Sequence, residues 1–104
     1  MLATRQKTRE DVERMGAAGE RMELIDGELR EKGGASQRNG EIEIRLILPL
    51  GAHVLGSGLG EIYPSDTQFT VLHDPDKILI PDVAFVRADR LPPENERWRI
   101  APFA

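Results

Sequence analysis

Apolar residues punctuate the runs Met22-Glu23-Leu24-Ile25 and Glu28-Leu29-Arg30-Glu31, with Asp26-Gly27 between the two. An Asp-Gly pair flanked in this way predicts a two-residue type I′ hairpin, because both central positions need positive φ and these residues tolerate it. With that loop, Ile25 faces Glu28, Leu24 faces Leu29 and Glu23 faces Arg30. Met22, Leu24, Leu29 and Glu31 then share one side of the ribbon, and Glu23, Ile25, Glu28 and Arg30 share the other. Glu23 opposite Arg30 reads as a cross-strand ion pair, worth roughly 0.2–1 kcal/mol. Upstream, Thr8 with Asp11 three residues later predicts a capped helix. Glu10, Asp11 and Glu13 suit the positive end of its dipole, and Gly16-Ala17-Ala18-Gly19 ends it.

The segment from Asn39 to Leu55 supports two readings. Glu41-Ile42-Glu43-Ile44-Arg45-Leu46 alternates like a strand, whereas Ile44, Ile47, Leu48, Gly51 and Leu55 form a helical stripe. Pro49 inside a helix would cost about 3 kcal/mol and kink it. Gly56-Ser57-Gly58 closes the element. Glu61-Ile62-Tyr63 is a short strand stopped by Pro64, and Thr67 to Leu72 is a second strand rich in β-branched and aromatic residues. His73-Asp74-Pro75-Asp76 is a turn.

Lys77 to Val86 then reads as one long strand. Period-two counting puts Ile78, Ile80, Asp82, Ala84 and Val86 on one face and Leu79, Pro81, Val83 and Phe85 on the other. Both faces are apolar, so the strand is expected to be covered on both sides. Asp82 is the one charge between Ile78 and Val86. A lone buried carboxylate costs several kcal/mol unless it is paired, protonated or bound to metal. Pro81 cannot donate to a ladder, so a bulge or a free edge is expected beside it. Two readings follow for Asp82: a metal ligand re-aimed by the bulge, or a carboxylate satisfied by nearby backbone N–H groups.

Composition narrows the chemistry. The 104 residues make one domain, 1–104, burying roughly 65% of the unfolded chain's surface. There is no cysteine, which excludes disulfides, Cys-based zinc sites and thiol nucleophiles. Two histidines make a His-rich metal site a poor fit. The net charge of −4 leaves no global basic footprint for nucleic acid, although 11 of the 14 basic residues are Arg, suited to bidentate phosphate contacts. Asp66 and Asp74-Pro75-Asp76 read as turn residues, and Glu41 and Glu43 carry no assigned role. Trp98, flanked by Arg97 and Arg99, reads as a core or interface aromatic, with base stacking as the alternative. No serine has a nucleophile-elbow context and no glycine pattern matches a phosphate loop. With no apolar h-region at the amino terminus and no apolar run near the about 20 residues of a membrane span, no membrane association is expected and the expected compartment is the cytoplasm.

Three strings occur in a particular order: Glu23-Leu24-Ile25-Asp26-Gly27-Glu28-Leu29, then Gly58-Leu59-Gly60-Glu61-Ile62, then Ile80 to Val86 followed by Arg90-Leu91-Pro92-Pro93. Together they resemble the Uma-type restriction endonuclease family, within the PD-(D/E)XK nuclease superfamily, from about Thr8 to Ala104. The resemblance implies an α/β, restriction-endonuclease-like fold: a mixed sheet flanked by helices, with an N-terminal helix, the Asp-Gly hairpin and one long helix at Asn39 to Leu55. It also implies metal-dependent hydrolysis of DNA, with Mg2+ or Mn2+ as cofactor. In that superfamily an Asp after a Pro and a Glu-x-Lys or Asp-x-Lys pair on the next strand bind the metal, and the Lys or the metal assists attack by water. Pro81-Asp82 matches the first half, which makes Asp82 the expected metal ligand. Glu23 matches an acidic position of the family's hairpin, so the resemblance makes Asp82 and Glu23 the candidate catalytic residues.

Two departures stand out. Asn39-Gly40 occupies the place of a frequent His-Gly pair. The second half of the motif is absent: of Asp89, Glu94 and Glu96, none is followed two positions later by Lys, and Lys77 is the last lysine. Ala101-Pro102-Phe103-Ala104 resembles the lead-in to the strand that would carry it. The expectation is a truncated domain lacking the C-terminal part of the fold, inactive by itself, with an open sheet edge beside Asp82 that invites a homodimer. The alternatives are a non-catalytic interaction protein and a non-functional remnant.

Overall fold

The computed structural model describes residues 6–34, 36–97 and 100. Trp98, Arg99 and Ala101 to Ala104 lie outside the described residues, as does the stacking or lead-in role that the sequence suggests for them. The fold is mixed α/β. Helix α1 (Arg9–Arg14) precedes the hairpin β1 (Met22–Ile25) and β2 (Glu28–Glu31), and the long helix α2 (Gln37–Gly56) follows. Strands β3 (Gly60–Tyr63), β4 (Phe69–Leu72), β5 (Lys77–Leu79) and β6 (Ala84–Arg87) complete the order. One sheet has the order β2-β1-β5-β4 and the other pairs β3 with β6. Every described ladder is antiparallel.

The local signals explain most of these elements. Thr8 and Asp11 form a reciprocal capping box at α1. Asp26 and Gly27 adopt φ of 52° and 77°, the hairpin turn that Asp-Gly favours. The register is Glu23↔Arg30, Leu24↔Leu29 and Ile25↔Glu28, as the alternation requires. One side of that ribbon faces the core, where Leu24 and Ile78 are fully buried with Val12 and Ile100, and Met22 and Leu29 pack against them. The Asp76 carboxylate accepts from the Arg9 amide at 2.9 Å, tying the β4–β5 turn to the start of α1. That bond, with the neighbouring His73 ring, holds the Asp76 carboxyl below the usual carboxylate range.

The long segment is a helix. Ser36 caps it, accepting from the Asn39 amide at 3.2 Å. Its buried face differs from the expected stripe. Gly51 and Val54 are buried, Ile47 is half-buried, and α2 packs on β3. Ile44, Leu48 and Leu55 instead stand 50%, 64% and 56% exposed. The sequence offers apolar residues around much of the helix, and the narrow β3–β6 ribbon covers only the side with the small Gly51, where the backbones can approach.

The run from Lys77 to Val86 is not one strand. It divides into β5 in the first sheet and β6 in the second, and residues 80–83 turn the corner between them. The reason is Pro81, which has no N–H for a ladder. The expectation of a strand covered on both faces is therefore corrected. So is the burial of Asp82: its side chain is 84% exposed at that corner. The strand preceding the corner, β5, is interior, between β1 and β4, and the first sheet's edges are β2 and β4.

Candidate functional site

Leaving the sheet at Pro81 creates a backbone problem at Ile80, which is buried and has no ladder partner on β4 or β1. Its polar groups need partners there. Glu23 of β1 supplies one: its Oε2 accepts from the Ile80 amide at 2.8 Å. Lys32, just past β2, supplies the other, donating from Nζ to the Ile80 carbonyl at 2.7 Å. The same ammonium donates to the Ser65 carbonyl at 3.0 Å and to Asp82 Oδ1 at 3.2 Å. Ser65 is fixed from its other side, because its amide donates to Glu43 Oε1 of α2 at 3.2 Å.

The structure thus brings Glu23 and Asp82 to one corner, each through the Ile80–Asp82 segment. It does not pair Glu23 with Arg30. The expected cross-strand ion pair is absent because the buried Ile80 N–H is the better partner: leaving it unsatisfied would cost about 1–3 kcal/mol, more than an exposed ion pair gains. Asp82 is not satisfied by backbone amides, the alternative left open for it. Its described partner is Lys32, and its second oxygen has no partner among the described residues.

Sequence reasoning missed Lys32, Ser65 and Glu43. For Lys32 a signal existed. The hairpin register continues one pair beyond β2, with the Lys32 amide donating to the Arg21 carbonyl at 2.8 Å. Counting by twos, that pair falls on the same face of the ribbon as Glu23. Glu43 and Ser65 meet only through the packing of α2 beside β3, which no local pattern encodes.

A family model described as putative restriction endonuclease matches residues 9–103. The chain belongs to the Uma2 family. No curated protein matches it. Within this Uma2 chain, the break after β5 carries Asp82 to a solvent-facing corner whose backbone is held by Glu23 and Lys32. No helix among the described residues is long and apolar enough to cross a membrane.

Restriction-endonuclease-like chemistry implies a divalent cation, and the corner can be tested for fit. Its donors are carboxylate and carbonyl oxygens, the hard set that Mg2+ and Mn2+ take. Among the described residues no group of three His, Cys, Asp or Glu is placed to hold a metal ion. Glu23 already has one oxygen on Ile80 and Asp82 one on Lys32. The residues present fit a single-carboxylate contact, with water or phosphate completing the shell as is usual for Mg2+. They do not form a closed cage.

Proposed function

We propose that this chain supplies the Asp82 half of a metal-dependent DNA phosphodiesterase site and does not cut DNA by itself. The supporting observation is the exposed Asp82 carboxylate at the Pro81 corner, presented outward while Glu23 and Lys32 hold the backbone behind it. A bound divalent ion such as Mg2+ or Mn2+ would activate water and neutralise charge on the phosphate. Asp82 would hold the ion through the oxygen that Lys32 does not occupy. Glu23 acts as a positioning residue, since its carboxylate grips the Ile80 amide two residues before Asp82. The acidic-x-Lys pair that completes such a site does not occur in these 104 residues.

Incubation of the purified chain with supercoiled plasmid and Mg2+ or Mn2+ is expected to give no nicking above a protein-free control. Nicking that disappears in Asp82→Asn would overturn the incomplete-site reading. Reading the DNA beyond the Ala104 codon complements this. A continuation encoding Glu-x-Lys, in frame or after a frameshift, supports the half-site, whereas a stop followed by unrelated sequence favours an interaction protein or a remnant.

A second reading, self-association, rests on separate observations. Strand β4 is an edge of the first sheet. Beside it lies an open apolar groove of about 530 Å³ lined by Phe69, Val71, Leu79, Pro81 and Phe85. An uncovered edge next to apolar side chains favours pairing with a second copy. Size-exclusion chromatography with light scattering is expected to show a dimer or larger species whose share rises with concentration. A monomer that persists at high concentration would remove this reading.

A further inference from the structure

We propose that Lys32 is a second positioning residue, acting on the Asp82 carboxylate directly: its ammonium fills a three-oxygen cage and restricts the carboxylate to taking a divalent cation through one oxygen, and weakly. The inference rests on the proposed role of Asp82 as a metal ligand, but the cage itself does not.

The chemistry of the cage is complete. A lysine ammonium has three N–H donors and no acceptor. Here the three acceptors are Ile80 O at 2.7 Å, Ser65 O at 3.0 Å and Asp82 Oδ1 at 3.2 Å. No donor is left to reach a phosphate, so Lys32 is not positioned as a direct substrate contact. The Lys32 side chain is 23% exposed, against 84% for Asp82. The exposed ion pair alone would be worth about 0–1 kcal/mol and would not hold a mobile carboxylate. Two backbone carbonyls make the difference, because they fix the ammonium before Asp82 adds to it. Lys32 is anchored in turn through its backbone, with its amide on the Arg21 carbonyl at 2.8 Å and its carbonyl accepting from Arg21 Nη2 at 3.0 Å. The cage therefore joins the end of β2, the β3–β4 connection and the Pro81 corner.

Two consequences follow for a divalent ion at Asp82. Oδ1 is occupied, so bidentate binding requires breaking the Lys32 contact. A fixed positive charge also stands beside the ion. At a separation near 5 Å in water, a unit charge opposes a divalent one enough to weaken binding about tenfold at low salt, and by less as salt screens it.

Two measurements separate the cage from the metal role. In the first, the side-chain ammonium signals of the three lysines are followed by NMR in the wild type and in Asp82→Asn, an exposed substitution that leaves the core untouched. Lys32 is expected to give a signal protected from solvent exchange, and that signal is expected to shift in Asp82→Asn while those of Lys7 and Lys77 do not. A Lys32 signal that exchanges as fast as the other two overturns the cage. In the second, Mn2+ affinity is read from the free-ion electron paramagnetic resonance signal at low salt. Lys32→Met is expected to bind about tenfold more tightly than wild type, and Lys32→Arg, which keeps the charge, within about twofold of it. Equal affinities for wild type and Lys32→Met overturn the restraint on metal binding. If wild type and Asp82→Asn bind Mn2+ alike, the metal role of Asp82 fails instead, and the NMR result still decides the cage.

Discussion

Leu24→Ala is expected to destabilise the fold by about 2–5 kcal/mol. Leu24 is fully buried at the centre of the cluster formed by Val12, Ile78 and Ile100. It also sits on β1 at the pairing point with both neighbours, opposite Leu29 of β2 and Ile78 of β5. Truncating a buried leucine removes its transfer energy and leaves a cavity, together about 2–5 kcal/mol. A domain of this size has a total stability of roughly 5–15 kcal/mol, and each kcal/mol lost moves the melting temperature by about 4–8 °C. Thermal unfolding followed by far-ultraviolet circular dichroism should therefore show a midpoint lower by about 8 °C or more. Because β1 carries Glu23, the same change should release the Ile80 amide and with it the Asp82 corner. A variant that melts within 2 °C of the wild type would mean that this cluster is not the core.

Gly60→Ala is expected to break the second sheet while leaving the first. Gly60 opens β3 opposite Arg87 of β6, with φ of 156°. A Cβ at this position would lie 2.0 Å from the Val86 carbonyl oxygen and 2.9 Å from its carbon. These are backbone atoms, so no side chain can swing aside. The strain of pushing the ladder apart is on the order of 2–4 kcal/mol. The consequence reaches the candidate site, because β6 starts at Ala84, two residues after Asp82. Hydrogen exchange is the suitable probe. Amides of Glu61 to Tyr63 and Ala84 to Val86 should lose protection, while Met22 to Ile25 and Ile78 keep theirs. Uniform loss across both sheets would show that they unfold as one unit, contrary to the account.

What the sequence disclosed about this fold follows the range of the interactions involved. The hairpin was readable to the residue because Asp26-Gly27 sets the register locally and alternation then assigns the faces. The capping box at Thr8 and Asp11 was readable for the same reason. The helix at α2 was not decided by its own pattern, since Glu41 to Leu46 alternates like a strand, and the family likeness settled it. Its buried face was misjudged because a helix with apolar residues on several sides cannot reveal which of them a partner covers. The largest misreading was at Asp82. Period-two counting assumes an unbroken strand, and Pro81 interrupts it; once the chain turns, the carboxylate points to solvent and the argument from burial no longer applies. Pro81 is the local signal for that break, because it has no N–H to donate to a ladder.

The candidate site was half visible. Asp82 and Glu23 were identified from a motif and a hairpin position, yet what unites them is the backbone of Ile80, whose amide and carbonyl are held by Glu23 and Lys32. Such contacts join residues 48 to 57 positions apart, and no local spacing rule reaches that far. Lys32 changes the meaning of the site, since it gives Asp82 a partner of its own.

Asp82 is the proposed meeting point of this Uma2 chain and a divalent cation. Paramagnetic broadening by Mn2+ tests it most directly, because line broadening falls steeply with distance from the ion. In a spectrum of the isotope-labelled chain, the amides of Asp82 and Val83 should broaden first, followed by those of Ile80 and Lys32, and Asp82→Asn should abolish the pattern. Broadening that begins instead among the exposed acids near Asp89 and Glu94, and persists in Asp82→Asn, would contradict it.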